Sequence, residues 1–438
     1  MVTTKPQNKW QPKTYKYFEF VESLDEISPK ISENWALTPK KYCLIPVNFA
    51  KFQTARMPHL SYWERSFYFK NTDVVIIGGG IVGLSTGISL LEKQAHLRVL
   101  ILEKNYLPLG ASTKNAGFAC FGSPSELLED LKKSSADQVF TLFNRRFQGI
   151  QKLIQRTGPT ALDLKPFGGY ELIHPELSSI EIGQKELDYL NQEIEQQTGL
   201  KSYYRFKNEQ LETWGLTEFE SLVANEHESC INPMWMIHTL QEMFRSKGGK
   251  LIHGIGIKSW QDQDEAVEIE LEDAYRFHAK QLLFCVNGFA KRFFPELEVN
   301  PARNSVLLIE TEKPIPFRGC FHINCGYVYF RELDGKLLIG GGRNLDFETE
   351  STDAFGINET IKMYLCNLVS QYILPDQKFA VVEQWSGILG LGEVKKPIIK
   401  QLAQNIYVAV RLGGMGVAIG SLVGEEAADL LLKNERFA

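Results

Sequence analysis

The 438-residue sequence predicts an α/β fold in which a Rossmann-like domain carries an inserted, strand-rich second region. Three observations support this: a strand–helix–strand pattern over residues 73–103, repeated strand patterns between 266 and 339, and a closing strand, glycine turn and helix from Ile406 to Leu432. A strand–helix–strand unit builds a parallel sheet, whereas a run of strands builds a sheet of its own. We therefore expect two sheets of different kinds.

The first unit is the most regular part of the sequence. The run Asp73–Ile77 is rich in β-branched apolar residues, as a buried parallel strand requires. Glycines follow, and apolar residues then recur at helical spacing from Val82 to Leu91. A second apolar strand pattern, Arg98–Leu102, ends at Glu103. Together these segments have the length and order of a βαβ unit.

The middle of the chain mixes the two periodicities. Helical spacing is predicted over Glu126–Lys133, Phe140–Arg156, Ile180–Gln197, Met234–Lys247 and Glu359–Ser370. Strands are predicted at Gly169–Ile173, Lys250–His253, Ala266–Leu271, Gln281–Val286, Val306–Glu310, Tyr327–Arg331 and Lys336–Ile339. The closing elements are a strand at Ile406–Val410 and a helix from about Ser421 to Leu432.

Residues 1–56 differ from the rest of the chain. They contain prolines at 6, 12, 29, 39 and 46 and lack sustained periodicity. We expect an N-terminal extension that lies on the surface or is partly mobile. The alternative is that Met57 is the biological start, because the compact pattern begins just after it.

Composition excludes several classes of function. The chain has 48 basic and 53 acidic side chains, so it offers no support for a nucleic-acid partner. It shows no signal peptide and no integral membrane span, because its longest apolar stretches are interrupted by glycines. The seven cysteines are scattered without a CxxC pair, which favours a reducing, cytoplasmic location. The histidines have no ligand spacing, so no metal site is expected.

The glycines after the first strand form the pattern Gly78-x-Gly80-x-x-Gly83. The first glycine of such a motif makes a tight turn, the second lets the backbone approach a pyrophosphate, and the third brings helix and strand together. Glu103 follows Gly83 by twenty residues and can accept ribose hydroxyls. The motif predicts a dinucleotide site, disfavours NADP, and leaves FAD and NAD open.

The next segment, Gly110–Gly117, resembles the FAD-dependent amine and amino-acid oxidase family, whose members include D-amino-acid oxidase, glycine oxidase and gamma-glutamylputrescine oxidase. The family pattern there is Gly-Ala-Ser followed by an Asn/Ala-Gly pair. Further resembling stretches come in the family's order, and the resemblance spans about 57 to 438. These stretches are Cys230–Met234, Val286–Gly288, Tyr329–Arg331, Asp334–Gly342, Trp385–Gly387, Pro397–Ile399 and Arg411–Val417.

The resemblance implies a Rossmann-like FAD-binding domain with an inserted α+β substrate domain built on a mixed or antiparallel sheet. The FAD-binding domain would comprise 57–150, 226–298 and 380–438, and the substrate domain 151–225 and 299–379. The implied FAD contacts are Gly78, Gly80, Ile81, Val82, Gly83, Glu103, Lys104, Gly110, Ala111, Ser112, Asn115, Ala116, Gly117, Ile257, Asn287, Gly288, Leu412, Gly413, Gly414, Met415, Gly416 and Val417.

Departures from the family pattern refine this expectation. Some dehydrogenase members carry a flavin-linking His where this chain has Lys114, and sarcosine-oxidase-like members carry a flavin-linking Cys near Gly387. Neither attachment residue is present, so non-covalent FAD is expected. Sarcosine-oxidase-like members also place a His and a Lys where this chain has Met415 and Ala418, which puts a small amino-acid substrate in doubt.

The implied reaction is oxidation of a C–N bond in a primary or secondary amine or an amino acid. Hydride passes to flavin N5, water hydrolyses the imine, and oxygen or an electron carrier takes the electrons. Candidate catalytic residues are Arg411, Tyr329 and Arg331. The alternative for Arg411 is a structural ion pair, and for Arg331 and Arg343 a surface salt bridge.

Two other functions stay open. The first is an FAD-dependent dehydrogenase of an alcohol such as glycerol 3-phosphate, which passes electrons to a quinone or carrier. The second is a non-catalytic flavin-binding scaffold, against which the intact glycines and Glu103 argue.

Overall fold

The computed structural model describes residues 60–178 and 180–433, all within one compact unit, Arg56–Ala438. The predicted extension 1–56 and the alternative start at Met57 lie outside the described residues.

The described strands, in chain order, are β1 (Thr72–Ile77), β2 (Val99–Glu103), β3 (Phe118–Ala119), β4 (Gly169–Ile173), β5 (Arg205–Phe206), β6 (Ser221–Asn225), β7 (Ser229–Cys230), β8 (Lys250–His253), β9 (Ile257–Asp262), β10 (Val267–Leu271), β11 (Arg276–Phe284), β12 (Asn300–Thr311), β13 (Cys320–Ile323), β14 (Val328–Leu333), β15 (Lys336–Gly341), β16 (Phe379–Leu391), β17 (Ile398–Ala403) and β18 (Ile406–Val410).

The described α-helices are α1 (Tyr62–Glu64), α2 (Ile81–Lys93), α3 (Ala111–Lys114), α4 (Pro124–Leu131), α5 (Ala136–Thr157), α6 (Gln184–Thr198), α7 (Glu209–Thr213), α8 (Pro233–Ser246), α9 (Phe347–Glu350), α10 (Glu359–Leu368) and α11 (Gly416–Leu432). A π-helical turn follows α1 and another follows α10. Several helices begin at capping residues that satisfy free backbone N–H groups. Ser123 caps α4, Ser135 caps α5 and Asn232 caps α8.

The first sheet has the strand order β17-β18-β11-β1-β2-β8, and its central neighbours β18, β11, β1, β2 and β8 are parallel. Strand β10 pairs antiparallel with β11, and β9 pairs antiparallel with β10. Alternate residues of β1 face opposite sides: Val74 and Ile76 pack with α2, α5, α8 and α11, while Val75 and Ile77 pack with β9 and β10. Burial on both sides explains why β1 and β2 are almost wholly apolar.

The second sheet has the order β16-β12-β15-β14-β13-β4-β6-β5. Its pairs are antiparallel except for the parallel pair of β13 and β4, so the predicted mixed sheet is confirmed. One face buries Phe321, Phe330 and Ile339 against α10. Since neighbouring residues of a strand point to opposite faces, Tyr329 lies on the other face of the sheet. It lines the same cavity as the glycine turn that follows β1 in the first sheet.

Most predicted elements lie where the periodicity placed them, but several boundaries differ; β11 and β12, for example, begin five and six residues before the predicted Gln281 and Val306. Helix α11 begins at Gly416 and not near Ser421, because the glycine turn leads directly into it. Helix α5 runs through the predicted boundary at 150, and β16 pairs with β12 in the second sheet over residues 380–391. We therefore propose domain boundaries at 158 and 392 in place of 151 and 380.

A test of the packing concerns Gly149 in α5, where a side-chain Cβ would lie 2.1 Å from the carbonyl oxygen of Ala418. Alanine normally stabilises a helix interior relative to glycine, but here the clash with backbone outweighs that gain. Gly149→Ala should lower the free energy of unfolding by about 1–3 kcal/mol, the usual cost of overpacking.

Denaturant unfolding followed by circular dichroism measures this change. The matched control is Gln151→Ala on the exposed side of the same helix, which should leave stability almost unchanged. A Gly149→Ala protein as stable as its parent would contradict the close approach of α5 and α11.

Candidate active site

A cavity of about 1080 Å³ is lined by residues of both sheets and of helices α4, α5 and α11. The first sheet contributes the carboxyl ends of its parallel strands, including Ile77, Leu102 and Cys285. Open α/β sheets bind their ligands at this edge. The volume reaches the upper end of ligand pockets, roughly 300–1,000 Å³, and so has room for a large cofactor beside a small molecule.

The turn between β1 and α2 brings backbone close to backbone. A Cβ at Gly78 would lie 2.7 Å from the Cys285 carbonyl oxygen, and Gly78 has φ +109°, which disfavours other residues. A Cβ at Gly83 would lie 2.1 Å from the Gly78 carbonyl oxygen. These contacts leave no space for side chains, as the roles predicted for the first and third glycines require.

Two helix N-termini open onto the cavity, and neither is capped by the side chain of its own N-cap residue. Helix α2 follows Gly80, and α11 follows Met415. The first N–H groups of a helix lack partners within it and carry partial positive charge, which suits phosphate or another anionic group. At α2, the N–H of Ile81 donates to Ser112 Oγ at 3.0 Å, which anchors the Gly110–Gly117 segment beside the turn.

Glu103 ends β2 at the cavity wall. Its Oε2 accepts a hydrogen bond from the Gly79 N–H at 3.0 Å, and its Oε1 accepts one from the Asn105 N–H at 3.1 Å. The side chain is buried, so these bonds fix its direction. A carboxylate in this position can still accept hydroxyl groups, because each oxygen has a further lone pair.

The predicted cofactor contacts divide into two groups. Three of them do not line the cavity but pack closely behind its wall: Gly83, Gly117 and Gly288. A Cβ at Gly117 would lie 2.3 Å from the Ile231 carbonyl oxygen, and a Cβ at Gly288 would lie 2.4 Å from the Leu389 carbonyl oxygen. The others line the cavity: Gly78, Gly80, Ile81, Val82, Glu103, Lys104, Gly110, Ala111, Ser112, Asn115, Ala116, Ile257, Asn287, Leu412, Gly413, Gly414, Met415, Gly416 and Val417.

The opposite wall is a row of side chains across the second sheet. Val306, Tyr329 and His322 line the cavity, and the strand register places Val306 and Tyr329 on either side of Gly340, with His322 beyond Tyr329. The Tyr329 ring covers Gly340, where a Cβ would approach it to 2.6 Å. The Tyr329 hydroxyl accepts a hydrogen bond from Asn304 Nδ2 at 3.0 Å, and burial raises the pKa of Tyr329. Tyr329 thus lines the cavity, and its predicted catalytic role stays a prediction.

The structure contradicts a catalytic role for Arg331. Its guanidinium is buried outside the cavity and donates to the carbonyl oxygens of Gly117 at 3.1 Å and Ile231 at 3.2 Å. It therefore braces the Gly110–Gly117 segment from behind. It is also not the surface salt bridge of the alternative interpretation, because its partners are backbone carbonyls.

Arg411 is likewise not catalytic. Its guanidinium donates to the carbonyl oxygens of Lys396 at 2.9 Å and Glu298 at 3.1 Å, and it forms an ion pair with the Glu298 carboxylate at 3.1 Å. These bonds hold it outside the cavity wall. The alternative of a structural ion pair is correct.

A charged network on the wall was missed by the sequence analysis. Lys395 Nζ lies 2.9 Å from a Glu126 carboxylate oxygen and 2.8 Å from one of Asp130, and Arg146 contacts Glu126 at 3.3 Å. Burial alone would raise the pKa of Glu126, but the positive charges of Lys395 and Arg146 outweigh it and lower this pKa to about 2. The i, i+4 spacing of the two carboxylates puts them on one helix face, but nothing in the sequence indicates Lys395 as their partner.

Arg343 is a residue for which the sequence left a substrate contact and a surface salt bridge as alternatives. It lines the cavity, with its guanidinium carbon 5.2 Å from the ring centroids of both Tyr327 and Phe347. Among the described residues no carboxylate lies within ion-pair distance of it, so a surface salt bridge is excluded there. Burial lowers the pKa of Arg343. Three cysteines, Cys120, Cys285 and Cys325, also reach the wall.

Residues 73–430 match the model of the DAO family, described as FAD dependent oxidoreductase. The chain belongs to this family. It is 24% identical to gamma-glutamylputrescine oxidoreductase of Escherichia coli over 391 residues, which are 83% of this chain and 85% of that protein. It is 23% identical to the L-2-hydroxyglutarate dehydrogenase of the same organism over 357 residues, 75% of each chain.

Solved structures share the fold of this DAO-family protein. Glycine oxidase from Geobacillus kaustophilus superposes with a TM-score of 0.64 at 20% identity, covering 83% of this chain and 95% of that one. L-proline dehydrogenase from P. horikoshii gives 0.65 at 15% identity, covering 83% and 94%. The predicted architecture, family and FAD dependence are therefore confirmed, and the protein is an FAD-dependent oxidoreductase.

The cavity of this DAO-family enzyme fits FAD. The glycine turn and the α2 N-terminus would hold the pyrophosphate, Glu103 the ribose, and the α11 N-terminus would face the flavin ring. When bound, FAD supplies a two-electron acceptor for hydride. The protein contributes orientation and charge, and absence of covalent attachment stays a prediction. No helix within residues 60–178 and 180–433 is long and apolar enough to cross a membrane.

A substitution of Arg331 distinguishes a structural role of this residue from a catalytic one. Arg331→Met removes the donors to Gly117 and Ile231 while keeping much of the side-chain volume. Losing these hydrogen bonds from a charged donor should lower the free energy of unfolding by about 1–3 kcal/mol, although the Gly117 carbonyl keeps the Ile231 N–H as a partner. For FAD-loaded protein, the KM of any oxidised substrate should stay unchanged.

Urea unfolding and steady-state kinetics measure the two effects. The control is Arg318→Met, whose side chain is largely exposed and should affect neither. An Arg331→Met enzyme of normal stability with a sharply raised KM would show that Arg331 contacts substrate.

Proposed function

We propose that this enzyme oxidises the C–N bond of an amino acid, or of an amine that carries a carboxylate, to an imine that water hydrolyses. The observation that carries the proposal is Arg343, a cavity-lining cation without a carboxylate partner among the described residues. FAD, when bound, accepts the hydride from the carbon atom that bears the amino group.

Arg343 suits a carboxylate for two reasons. A planar guanidinium donates two parallel hydrogen bonds to a carboxylate, which fixes the orientation of the ligand as well as its charge. A half-buried cation without an acidic partner is also costly, so an anionic ligand gains more there than at a paired arginine. The rings of Tyr327 and Phe347, which pack edge-on against each other, lie next to the guanidinium and limit the directions in which it can point.

The rest of the wall is consistent with a small ligand. Lys395 and Arg146 already neutralise Glu126 and Asp130, so these charges need no counterpart from the substrate. The names of similar proteins point in the same direction: they include gamma-glutamylputrescine oxidoreductase, glycine oxidase and L-amino acid deaminase. This supports an amine or amino acid without identifying it.

A hydroxy acid is the second candidate substrate. The chain resembles L-2-hydroxyglutarate dehydrogenase of Escherichia coli, and a 46-residue stretch is 50% identical to the mitochondrial enzyme of Dictyostelium discoideum. The same Arg343 would bind the carboxylate, and a C–O bond would be oxidised in place of a C–N bond. This is the alcohol alternative of the sequence analysis, with electrons passing to a quinone or carrier.

The compartment and the electron acceptor are also proposals. We infer a cytoplasmic location because cysteines 120, 230, 285, 320, 325 and 366, all within the described residues, are free thiols. Oxygen or an electron carrier would reoxidise the flavin.

Anaerobic flavin bleaching tests the function. FAD-loaded protein is mixed without oxygen with amino acids, amines that lack a carboxylate, and 2-hydroxy acids, and absorbance of the oxidised flavin is followed. Bleaching by amino acids or carboxylated amines supports the proposal, and bleaching by hydroxy acids alone would transfer support to the second candidate. Flavin that no compound reduces would indicate a scaffold. Readmission of oxygen then separates an oxidase from a dehydrogenase.

A substitution of Arg343 tests the substrate anchor. Arg343→Met should raise the KM of a carboxylate-bearing substrate about 10–100-fold, because a charge-assisted hydrogen bond contributes roughly 1.5–3 kcal/mol. Reduction by an amine without a carboxylate is the internal control and should change little. The control variant is Arg276→Met on the exposed part of β11. Equal effects on both substrates would contradict the anchor.

A further inference from the structure

His322 on β13 is a cavity-lining imidazole that the fold and the cofactor do not require. It stands opposite Tyr329 in the strand register, half-buried, with its ring 5.4 Å from that of Phe118 in an edge-on arrangement. Among the described residues it has no hydrogen-bond partner, unlike Tyr329, which accepts from Asn304. A ring nitrogen with a lone pair therefore stays available to a ligand.

The surroundings keep this imidazole neutral. Burial lowers the pKa of His322, although the carboxylates of Glu228 and Glu126 act in the opposite direction. The other titratable groups near it are Glu171 and Tyr329 on the neighbouring strands, Cys120 on the cavity wall, and Lys395, which is paired with Glu126. Above its pKa, His322 is a proton acceptor at the pH of the cytoplasm.

We propose that His322 is the base that takes a proton from the amino group, or from the hydroxyl group, of the bound substrate; this rests on the proposed function. In this step the substrate N–H or O–H bond breaks and an N–H bond forms on the imidazole. The electron pair stays on the substrate nitrogen or oxygen, so the step changes no oxidation state. It leaves the donor atom able to release hydride from the adjacent carbon.

The other polar groups of the wall are poorer bases. Glu126 is held by Lys395 and Arg146, and its pKa of about 2 makes it a weak proton acceptor. Burial raises the pKa of the Tyr329 hydroxyl, which keeps it protonated. Arg343 carries a permanent charge and serves as the anchor in the proposed function. The imidazole has a lone pair without a partner among the described residues, and histidine is the side chain that ordinarily titrates near neutral pH, where general-base catalysis is most effective.

The pH dependence of flavin reduction tests this role. In the wild type, the anaerobic rate with a substrate from the panel should fall as pH decreases through the pKa of His322, below its ordinary value of about 6.5. His322→Gln should reduce the rate about 10²–10⁴-fold and abolish this acidic limb. His322→Asn serves as a second variant, and both must keep FAD content and circular dichroism. His278→Gln, an exposed histidine of β11, is the control.

A direct titration gives a readout that is independent of turnover. NMR of histidine-labelled protein, assigned with the His322→Gln spectrum, should show an imidazole that titrates below about 6.5. Imidazole added to His322→Ala should restore part of the rate in proportion to its neutral form.

The outcomes separate the two proposals. If no amine, amino acid or hydroxy acid bleaches the wild-type flavin, the proposed function fails and the base has no substrate. If the wild type is bleached but His322→Gln keeps the rate and the acidic limb, only the role of His322 is overturned. An imidazole that is still protonated at pH 7 would overturn it as well.

Discussion

The close packing of helix α11 on helix α2 is the contact on which the site depends. A Cβ at Gly424 would lie 2.8 Å from the Thr86 backbone nitrogen, and one at Gly420 would lie 2.7 Å from the Ile81 side chain, so α11 approaches α2 most closely where α11 itself has no side chain. Both helices start at the cavity, and neither start is capped by the side chain of its own N-cap residue, Gly80 or Met415. The contact therefore sets two regions of positive backbone potential at a fixed separation, one for each end of a long anionic cofactor.

The second sheet completes the cavity with a different chemistry. Charges that belong to the protein are neutralised inside it, as Lys395 is by Glu126 and Asp130. Arg343 and His322 remain without such partners among the described residues, and both line the cavity. Arg343 is a permanent cation and His322 a neutral base, so together they suit a ligand that has a carboxylate and an amino or hydroxyl group. The division between cofactor cradle and substrate wall thus follows the division between the two sheets.

How much the sequence predicts depends on the range of the interaction. The strand Ile406–Val410 and the Gly78–Gly83 turn are defined by neighbouring residues, and periodicity and motif place them correctly. We propose 392 in place of 380 as a domain boundary because β16 pairs with β12 across some eighty residues, and spacing along the chain does not encode that pairing. Arg331 and Arg411 were misjudged for the same reason: the carbonyl oxygens that bind them come from remote loops. That His322 and Arg343 lack polar or charged partners among the described residues follows only from the strand register and the burial of the folded protein, not from the sequence.

The central claim is that this cavity holds FAD without a covalent bond. Denaturation of the purified protein with acid, followed by chromatography of the supernatant, tests it most directly, because Cys120, Cys285 and Cys325 line the cavity and offer thiols for attachment. The account predicts an equimolar amount of free FAD in the supernatant and a colourless protein pellet. Flavin that stays with the pellet, FMN in place of FAD, or a protein without flavin would contradict it.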